Sequence, residues 1–317
     1  GAPQVVLSGS PREMGRQRGA AWADRIRDAY AAKIVGPVQR GDAVPQGTGW
    51  WKLAPSFVDL APLALPRLAI GARPLLAGLS PAIFDELTGM AAGAEMPFDA
   101  VWLLQCAPTL AVAENLPAFY RAPFCTMFAA LNDRAPRRLI VGRNFDWPDA
   151  EPPAIVEYRP DSGHAFTHVG FPWCAGVFTG MNDTGLTICV ERAEDLGRPS
   201  TDGAPVELVV RDVLQTARDF TDALLKLEAA KHLRGYRVLV ADPEEPSARV
   251  FEYGRFINLR KPDDDLMLGA DPASTNLKDD TRARYARVLE LLGEDGPVGR
   301  TEVERVLRDR APDAADT

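Results

Sequence analysis

The spacing of apolar positions changes near residue 124. Before this point apolar residues recur about every 3.6 positions, which is typical of amphipathic helices. The segment Ser10 to Glu13 (SPRE) is a capping-box helix start, and we expect its helix to run to about Ala32. A second proline start predicts a helix from Pro81 to Ala94, and a further apolar segment follows from Phe98 to Gln105.

After residue 124 the apolar period is about 2, which is typical of half-buried strands. Cys125 to Leu131 and Arg138 to Phe145 flank the turn residues Asn132 to Pro136, so they predict a β-hairpin. Trp173 to Gly180 and Gly185 to Glu191 predict a second hairpin. The pattern then predicts two helices, four short strands and a closing helix. These are Pro205 to Ala217, Thr221 to Lys231, Tyr236 to Ala241, Ala248 to Tyr253, Phe256 to Leu259, Leu266 to Gly269 and Thr281 to Leu292.

This order of elements predicts an α+β fold in which two packed sheets lie between helical layers, although other α+β folds would give a similar order. The composition, with 46% hydrophobic and 25% charged residues, is that of an ordinary globular protein. A formal charge of -8 excludes a chain-wide basic surface, so we expect no nucleic-acid partner. The four cysteines and three histidines show no metal-ligand spacing, and neither a metal nor an organic cofactor is expected.

The most apolar stretch, Leu53 to Leu79, contains four prolines and three charged residues. It therefore predicts short packed helices and not a membrane span, with an amphipathic lid as the alternative. Membrane contact is not expected. The chain begins without a signal-peptide pattern, so a cytoplasmic location is the expectation, with a signal removed before Gly1 as the open alternative.

The first hairpin carries the first functional indication. If its turn is centred near residue 134, Cys125 and Arg143 lie nearly opposite each other on antiparallel strands. Asp146 then projects beyond the strand end, near the backbone nitrogen of Cys125. A guanidinium favours the reactive thiolate, whereas burial in apolar surroundings disfavours it, and most lone cysteines are simply buried.

Cys125-Thr126, followed by Gly142-Arg143-Asn144-Phe145-Asp146-Trp147, resembles the signature of an N-terminal-nucleophile hydrolase family. The family includes isopenicillin N acyltransferases (acyl-CoA:6-aminopenicillanic acid acyltransferase-like), choloylglycine (bile salt) hydrolases, acid ceramidase and N-acylethanolamine acid amidase. The acyltransferase branch is the most similar, because GSPREMGRQRG in the first helix and Glu86-Leu87 with the following small residues resemble its pro-segment. The resemblance implies a four-layer αββα sandwich, with residues 1–124 as a mainly helical pro-segment or α subunit and 125–317 as the catalytic β subunit.

The resemblance also implies roles for individual residues. Cleavage between Phe124 and Cys125 would make Cys125 an N-terminal nucleophile, and the α and β fragments would stay associated. The resemblance places Arg143 beside the thiol, Asp146 as anchor of the α-amine, Glu191 as support and Asn276 in the oxyanion hole. It places Arg284, Asn182 and Thr126 toward the substrate, with Arg282 as a competing choice for Arg284.

Two positions depart from the family pattern. Phe124 stands where many acyltransferases have glycine, and Arg192 stands near an asparagine of the bile salt hydrolases. The mechanism needs no histidine, since an α-amine titrates at roughly 7.7 to 8.0 and can act as general base toward the thiol of its own residue.

Other interpretations of the same residues stay open. A Cys-His pair between Cys125 and one of His164, His168 or His232 is possible in principle, although the first two lie only about 40 residues away, unlike papain-like enzymes. Trp50-Trp51 could be a ligand platform or packing residues. We interpret Cys174 and Cys189 as core residues, and Asp263 to Asp265 as a solvated turn and not a metal site.

Three functional hypotheses follow from these residues. The first is a self-processing amidohydrolase or acyltransferase that acts on a small-molecule acyl amide or acyl-thioester through an acyl-Cys125 intermediate. The second is a hydrolase of fatty-acyl or conjugated amides with the same residues and a wider apolar pocket. The third is a catalytically silent, uncleaved protein that acts by binding.

Overall fold

The computed structural model describes residues 2–36, 65, 69–113, 125–135, 138–146, 151–197, 203–230, 235–244, 246–293 and 296–309. The strands in this part of the chain are β1 (Gln4–Gly9), β2 (Thr126–Asn132), β3 (Arg138–Asn144), β4 (Ala154–Pro160), β5 (Phe166–Gly170), β6 (Thr179–Asn182), β7 (Thr187–Arg192), β8 (Tyr236–Asp242), β9 (Ser247–Tyr253), β10 (Ile257–Arg260) and β11 (Leu266–Leu268). The α-helices are α1 (Pro11–Ala21), α2 (Ala23–Tyr30), α3 (Pro81–Gly93), α4 (Phe98–Ala113), α5 (Val206–Thr216), α6 (Phe220–Ala229), α7 (Asp279–Leu292) and α8 (Arg300–Arg308). Short π and 3-10 helices cover Ala31–Val35, Arg73–Gly78 and Glu194–Leu196.

The strands form two sheets. The large sheet has eight strands in the order β1-β4-β5-β6-β7-β8-β9-β10, and the small sheet has the order β11-β2-β3. All neighbours are antiparallel except β1, which pairs with β4 in parallel. An element from the N-terminal part of the chain thus completes one edge of a sheet that the later residues build.

The small sheet packs face to face on β7, β8 and β9 of the large sheet. Alternate residues of the two sheets meet in one buried cluster, as the two-residue period of a strand requires. This inter-sheet core consists of Met127, Ala129, Leu131, Cys189, Leu239, Ala241, Ala248, Val250 and Met267. The odd-numbered positions of β2 and of β7 therefore face the space between the sheets.

Helices cover both outer faces. Phe128 and Ala130, on the other face of β2, pack with Tyr285 and Val288 of α7 and with residues of α8. On the far side, the outer face of the large sheet packs against α5 and α6, and the N-terminal helices belong to the same cluster. The layer order is helix, sheet, sheet, helix, so the predicted α+β class and its αββα layering are confirmed.

The N-terminal helices α1 and α3 cross at glycines. A Cβ atom placed on Gly15 would lie 1.9 Å from the carbonyl oxygen of Glu86, and one on Gly89 would lie 1.9 Å from that of Arg12. Gly19 and Gly93 make equally close approaches further along the two helices. The glycines that suggested a pro-segment thus have a physical reason, since only glycine lets these backbones touch.

Several element predictions need correction. The first helix does not run unbroken to residue 32 but ends at Ala21, with Trp22 separating α1 from α2. Ser10 caps α1 as predicted, but the capping box is incomplete because the Glu13 carboxylate accepts hydrogen bonds from Arg16 and Gln17. Strands β1, β4 and β5 and helix α8 were not predicted, and the strand expected from Trp173 begins only at Thr179. The other helices and strands lie close to their predicted positions.

Candidate active site

Cys125 lies immediately before β2, and its side chain is 1% exposed. The register of the β2–β3 hairpin pairs Met127 with Arg143, so Cys125 is displaced by two residues from the position nearly opposite Arg143 that the sequence predicted. A shift of two keeps both side chains on the same face of the sheet. Arg143 consequently still reaches the thiol, with 3.4 Å between its Nη2 and Cys125 Sγ.

The guanidinium of Arg143 lies between the two sheets, on the ring of Phe145 at 4.8 Å. Its Nη1 donates to the carbonyl oxygen of Phe178 and, at 2.6 Å, to Thr179 Oγ1. Its Nη2 donates to the carbonyl oxygen of Val190 at 2.5 Å as well as to the thiol. Contacts to both β7 and the start of β6 therefore hold the cation beside Cys125.

Burial raises the pKa of the Cys125 thiol above its usual value, and the nearby Glu191 carboxylate acts in the same direction. The charge and hydrogen bond of Arg143 lower the pKa, as does a hydrogen bond involving the backbone of Asp146. Arg143 and the backbone of Asp146 therefore favour the sulfur anion, whereas Glu191 and the buried surroundings disfavour it.

Asp146 follows β3 and is exposed. Its backbone reaches the sulfur of Cys125, so the residue lies beside the candidate nucleophile. The expected role of its carboxylate, to anchor an α-amine at Cys125, stays a prediction. Phe124, the other side of the expected cleavage site, lies outside the described residues.

Arg284 of α7 approaches Cys125 from the other side. Its Nη1 donates to the carbonyl oxygen of Cys125 and, at 3.3 Å, to Thr126 Oγ1, while its Nη2 donates to Thr281 Oγ1 at 3.2 Å. The competing residue Arg282 instead donates to the carbonyl oxygens of Pro272 and Leu277. The geometry thus distinguishes the two arginines, because Arg284 contacts Cys125 whereas Arg282 holds the loop before α7.

That loop contains Asn276, the residue expected to supply an oxyanion-hole amide. Asn276 is exposed in a turn shortly before α7. Arg282 braces the turn through the carbonyl oxygen of Leu277 at 3.1 Å. The oxyanion role of Asn276 stays a prediction.

Glu191 is buried on β7 and faces the space between the sheets. The hydroxyl of Tyr285 donates to Glu191 Oε2 at 2.6 Å and accepts from the backbone N–H of Met127 at 3.3 Å. Gly269 permits this link, because a Cβ there would lie 2.2 Å from the tyrosine oxygen and 3.0 Å from Glu191 Oε2. Glu191 is thereby tied to the start of β2, two residues after Cys125.

Burial also raises the pKa of the Glu191 carboxyl, and the charges of nearby arginines oppose this effect, Arg237 most strongly. Arg237 is the cross-strand partner of Glu191 and forms ion pairs with Asp195 and, at 3.3 Å, with Glu252. The carboxylate therefore lies in a buried network of alternating charge, and its expected supporting role stays a prediction.

Asn182 ends β6, and its side chain is engaged in the turn of the second hairpin. Its Oδ1 accepts from Thr184 Oγ1 and from the backbone N–H of Leu186 at 3.0 Å, and its Nδ2 donates to the carbonyl oxygen of Leu214. These contacts account for an asparagine at this position as a turn residue. They lend no support to the expectation that it binds substrate.

The histidine alternative finds no support in the described residues. His164 contacts Asp183 at 2.7 Å, near the far end of β6. His168 is buried on the outer face of the large sheet with Tyr158 and Phe166, whereas Cys125 faces the inner side. His232 and Trp50-Trp51 lie outside the described residues. Asp263 and Asp264 are exposed and Asp265 is half-buried in a turn, as predicted.

The sequence did not single out three residues that the structure brings to this site. Thr179 contacts Arg143, while Tyr285 and Gly269 complete the Glu191 link. Cys189 was interpreted as a core residue and is fully buried, but it also lies against Arg143, which lowers the pKa of its thiol against the effect of burial. All four lie far from Cys125 in the chain and reach it only through sheet packing.

Comparison with known proteins gives a match to a family model. Residues 133–264 match the family model of acyl-coenzyme A:6-aminopenicillanic acid acyl-transferase. This match confirms the resemblance seen in the sequence. The acyl-transferase match includes Arg143 and Glu191, whereas Cys125 lies before it and Arg284 after it, so the nucleophile is a proposal.

Similarity to solved structures is weaker. An N-acylethanolamine-hydrolyzing acid amidase ortholog from Caenorhabditis elegans is 19% identical, with a TM-score of 0.45, over 58% of this chain and 86% of that one. A variant of conjugated bile acid hydrolase from Clostridium perfringens is 12% identical, with a TM-score of 0.33, over 58% of this chain and 70% of that one. Likenesses of this size do not decide function. Curated proteins give no significant match.

Two negative findings concern the described residues alone. No helix among them combines the length and apolar character that crossing a bilayer requires. Within the same part of the chain, no three His, Cys, Asp or Glu side chains converge closely enough to hold a metal ion.

Proposed function

We propose that this protein is a self-processing cysteine amidohydrolase or acyltransferase, in which Cys125 attacks the carbonyl carbon of an acyl amide or acyl-thioester. The observation that carries the proposal is the position of Cys125 between two arginines. Arg143 lies 3.4 Å from its sulfur, and Arg284 donates to its carbonyl oxygen. The family match to an acyl-transferase supports the same class of reaction.

The proposed first step is cleavage of the bond between Phe124 and Cys125. The freed α-amine of Cys125 then takes the proton of its own thiol, because an amine of this kind titrates at roughly 7.7 to 8.0. Arg143 stabilises the sulfur anion, and Asp146 holds the ammonium group beside it. Glu191, through Tyr285, fixes the start of β2 and so the position of the nucleophile.

The proposed second step is acyl transfer to the sulfur. Attack by Cys125 Sγ forms a tetrahedral oxyanion, which collapses to an acyl-cysteine with loss of the amine or thiol. Water then gives hydrolysis, and an acceptor amine gives acyl transfer. Donors to such an oxyanion are worth roughly 3 to 4 kcal/mol each in comparable enzymes, and Asn276 is the proposed side-chain donor.

Mass spectrometry of the purified chain before and after incubation with an acyl-thioester or an N-acyl amine tests both steps. We expect fragments 1–124 and 125–317, with an acyl adduct on the peptide that begins at Cys125. Cys125→Ala should give neither fragments nor adduct. Cys174→Ala is the matched control, since Cys174 is equally buried on the outer side of the large sheet, and it should keep both.

Two results would contradict the proposal. Turnover by the Cys125→Ala variant would exclude this nucleophile. A fully active wild-type protein that stays a single unbroken chain on a denaturing gel would exclude activation by cleavage. An unbroken and inactive chain that binds an acyl compound would favour the silent binding protein instead.

A further inference from the structure

Thr179 is the first residue of β6 and contacts the guanidinium that lies beside Cys125. Its Oγ1 accepts from Arg143 Nη1 at 2.6 Å, and the same nitrogen donates to the carbonyl oxygen of Phe178. The other terminal nitrogen of Arg143 bonds to the carbonyl oxygen of Val190 and contacts the thiol. Side-chain substitution cannot remove the two carbonyl acceptors, but it can remove the threonine hydroxyl.

From this arrangement we infer that Thr179 is a positioning residue: its hydroxyl orients Arg143 so that Nη2 faces the sulfur of Cys125. A guanidinium is planar, so fixing one terminal nitrogen fixes the direction of the other. Thr179 does not itself contact the reacting sulfur. The inference rests on the proposed function only in that Cys125 is taken as the nucleophile.

The strand register explains why the hydroxyl points at the cation. Thr179 pairs directly with Cys189 across β6 and β7, and both face the space between the sheets where Arg143 enters. Carbonyl oxygens of Phe178 and Val190, the chain neighbours of this pair, bind the guanidinium from either side. Arg143 therefore lies over the Thr179–Cys189 pair and is held by both strands.

The chemistry gives this contact a measurable consequence. Burial disfavours the thiolate of Cys125, and Arg143 is the cation that opposes burial most strongly. The attraction between the guanidinium and the thiolate weakens as the distance between them grows. Solvent screens it little because the thiol is buried. If the guanidinium loses one of its anchors and moves away from the sulfur, the thiolate becomes less stable and the thiol less reactive.

The experiment measures the rate of Cys125 alkylation by iodoacetamide between pH 6 and pH 10, resolved by peptide mass spectrometry. Four proteins are compared at full length: wild type, Thr179→Val, Thr179→Ser and Thr187→Val. Valine keeps the shape of threonine without its hydroxyl, whereas serine keeps the hydroxyl. Thr187 is the matched control, since it is a half-buried threonine on the same sheet face whose hydroxyl donates to the carbonyl oxygen of Gly185.

We expect Thr179→Val to raise the apparent pKa of Cys125, so that alkylation at pH 7 slows roughly tenfold because the thiolate is the reactive form. Thr179→Ser should keep a profile close to wild type, and so should Thr187→Val. Cys174 is as buried as Cys125, so its alkylation rate measures access by opening of the structure, and the rate at Cys125 is compared with it in each protein. Thr179→Ala repeats the loss of the hydroxyl if the valine variant does not fold.

A wild-type profile in Thr179→Val would overturn the inference. So would an equal loss in Thr179→Val and Thr179→Ser, because the effect would then come from packing and not from the hydroxyl. Alkylation needs no turnover, so these outcomes stay distinct from failure of the proposed function, which the Cys125→Ala variant reports separately.

Discussion

Glu207 is a carboxyl group with an unusual environment. It lies in the first turn of α5, is 3% exposed, and has the buried thiols of Cys106 and Cys174 as neighbours. Burial raises its pKa from 4.5 to about 7, opposed only by a hydrogen bond from its own backbone. The folded protein therefore keeps a proton that the unfolded chain releases above pH 4.5.

This difference predicts how stability changes with pH. Between pH 4.5 and pH 7 the folded state binds more protons at Glu207 than the unfolded state, so the free energy of unfolding falls as pH rises through this window. The loss amounts to about 3 kcal/mol, from about 1.4 kcal/mol for each pKa unit. Gln cannot ionise, so Glu207→Gln should remove this contribution to the decrease in the free energy of unfolding.

Urea unfolding at pH 5 and pH 8 provides the measurement. The free energy difference between the two pH values should be smaller in Glu207→Gln than in wild type, and the variant should be the more stable protein at pH 8. Glu228→Gln, on the exposed side of α6, is the control and should keep the wild-type difference. An unchanged difference in Glu207→Gln would mean that the carboxyl already ionises near its ordinary pKa.

Single residues also show what the sequence could and could not predict about the site. Cys125, Arg143 and Glu191 were identifiable because each belongs to a short local motif. Thr179 and Tyr285 carry no such motif, and their contacts arise when β6 and α7 pack beside β2 and β3. Arg282 and Arg284 lie two positions apart on one helix, and only tertiary contacts distinguish them.

At the scale of elements, the contact between α1 and α3 is unusually close. Gly15 and Gly89 each lie against a backbone carbonyl of the opposite helix, at a separation that leaves no room for a methyl group. Interfaces of this kind cannot relax by side-chain rotation, because the clash is with backbone atoms.

Gly89→Ala should therefore force α1 and α3 apart and lower the free energy of unfolding by about 1 to 3 kcal/mol, the usual range for overpacking. Thermal unfolding followed by circular dichroism measures the change. Gly71→Ala is the control, because a Cβ at Gly71 meets no atom within 4 Å. That variant should be neutral or slightly more stable, since alanine favours helix over glycine. Equal melting temperatures for both variants would show that the crossing is not tightly packed.

Strands β1 and β4 were not predicted from the sequence, and each has a physical reason. In β1 only Leu7 is fully buried, because the strand lies at the sheet edge, so its apolar alternation is weak. In β4 the buried residues Ala154, Val156 and Tyr158 alternate as a strand requires, but the apolar Ile155 stands at an intervening position, so the alternation is incomplete in the sequence. The β2–β3 hairpin was predictable because a turn and two apolar strands are contiguous in the chain, although its observed register is displaced from the predicted one.

At the scale of the whole molecule, the N-terminal residues are integrated into the rest of the structure. β1 pairs with β4 along its whole length. Arg18 is buried and donates to the carbonyl oxygens of Phe171 and Pro172 and to the Tyr158 hydroxyl. Glu86 accepts from Arg211 at 2.7 Å, with both side chains almost fully buried. If the chain is cut after residue 124, all of these contacts join one fragment to the other.

We therefore expect that fragments 1–124 and 125–317 of the cleaved protein co-elute in size-exclusion chromatography and separate only in denaturant. Arg211→Met should weaken this association, because the buried Glu86 carboxylate keeps the Tyr158 hydroxyl but loses its charged partner, at a cost of about 3 to 5 kcal/mol. Asp85→Asn is the control, since Asp85 pairs with Arg12 at the surface and within the first fragment. It should change little, as exposed ion pairs contribute about 0 to 1 kcal/mol.

The measured quantity is the urea concentration at which the two fragments separate in each protein. A lower value for Arg211→Met, with wild-type behaviour in Asp85→Asn, would show that the buried pair holds the fragments together after cleavage. Equal values for all three proteins would mean that β1 pairing and the Arg18 contacts suffice without it. Should the chain remain uncut, unfolding of the intact protein gives the same comparison, because the buried carboxylate loses its partner in either form.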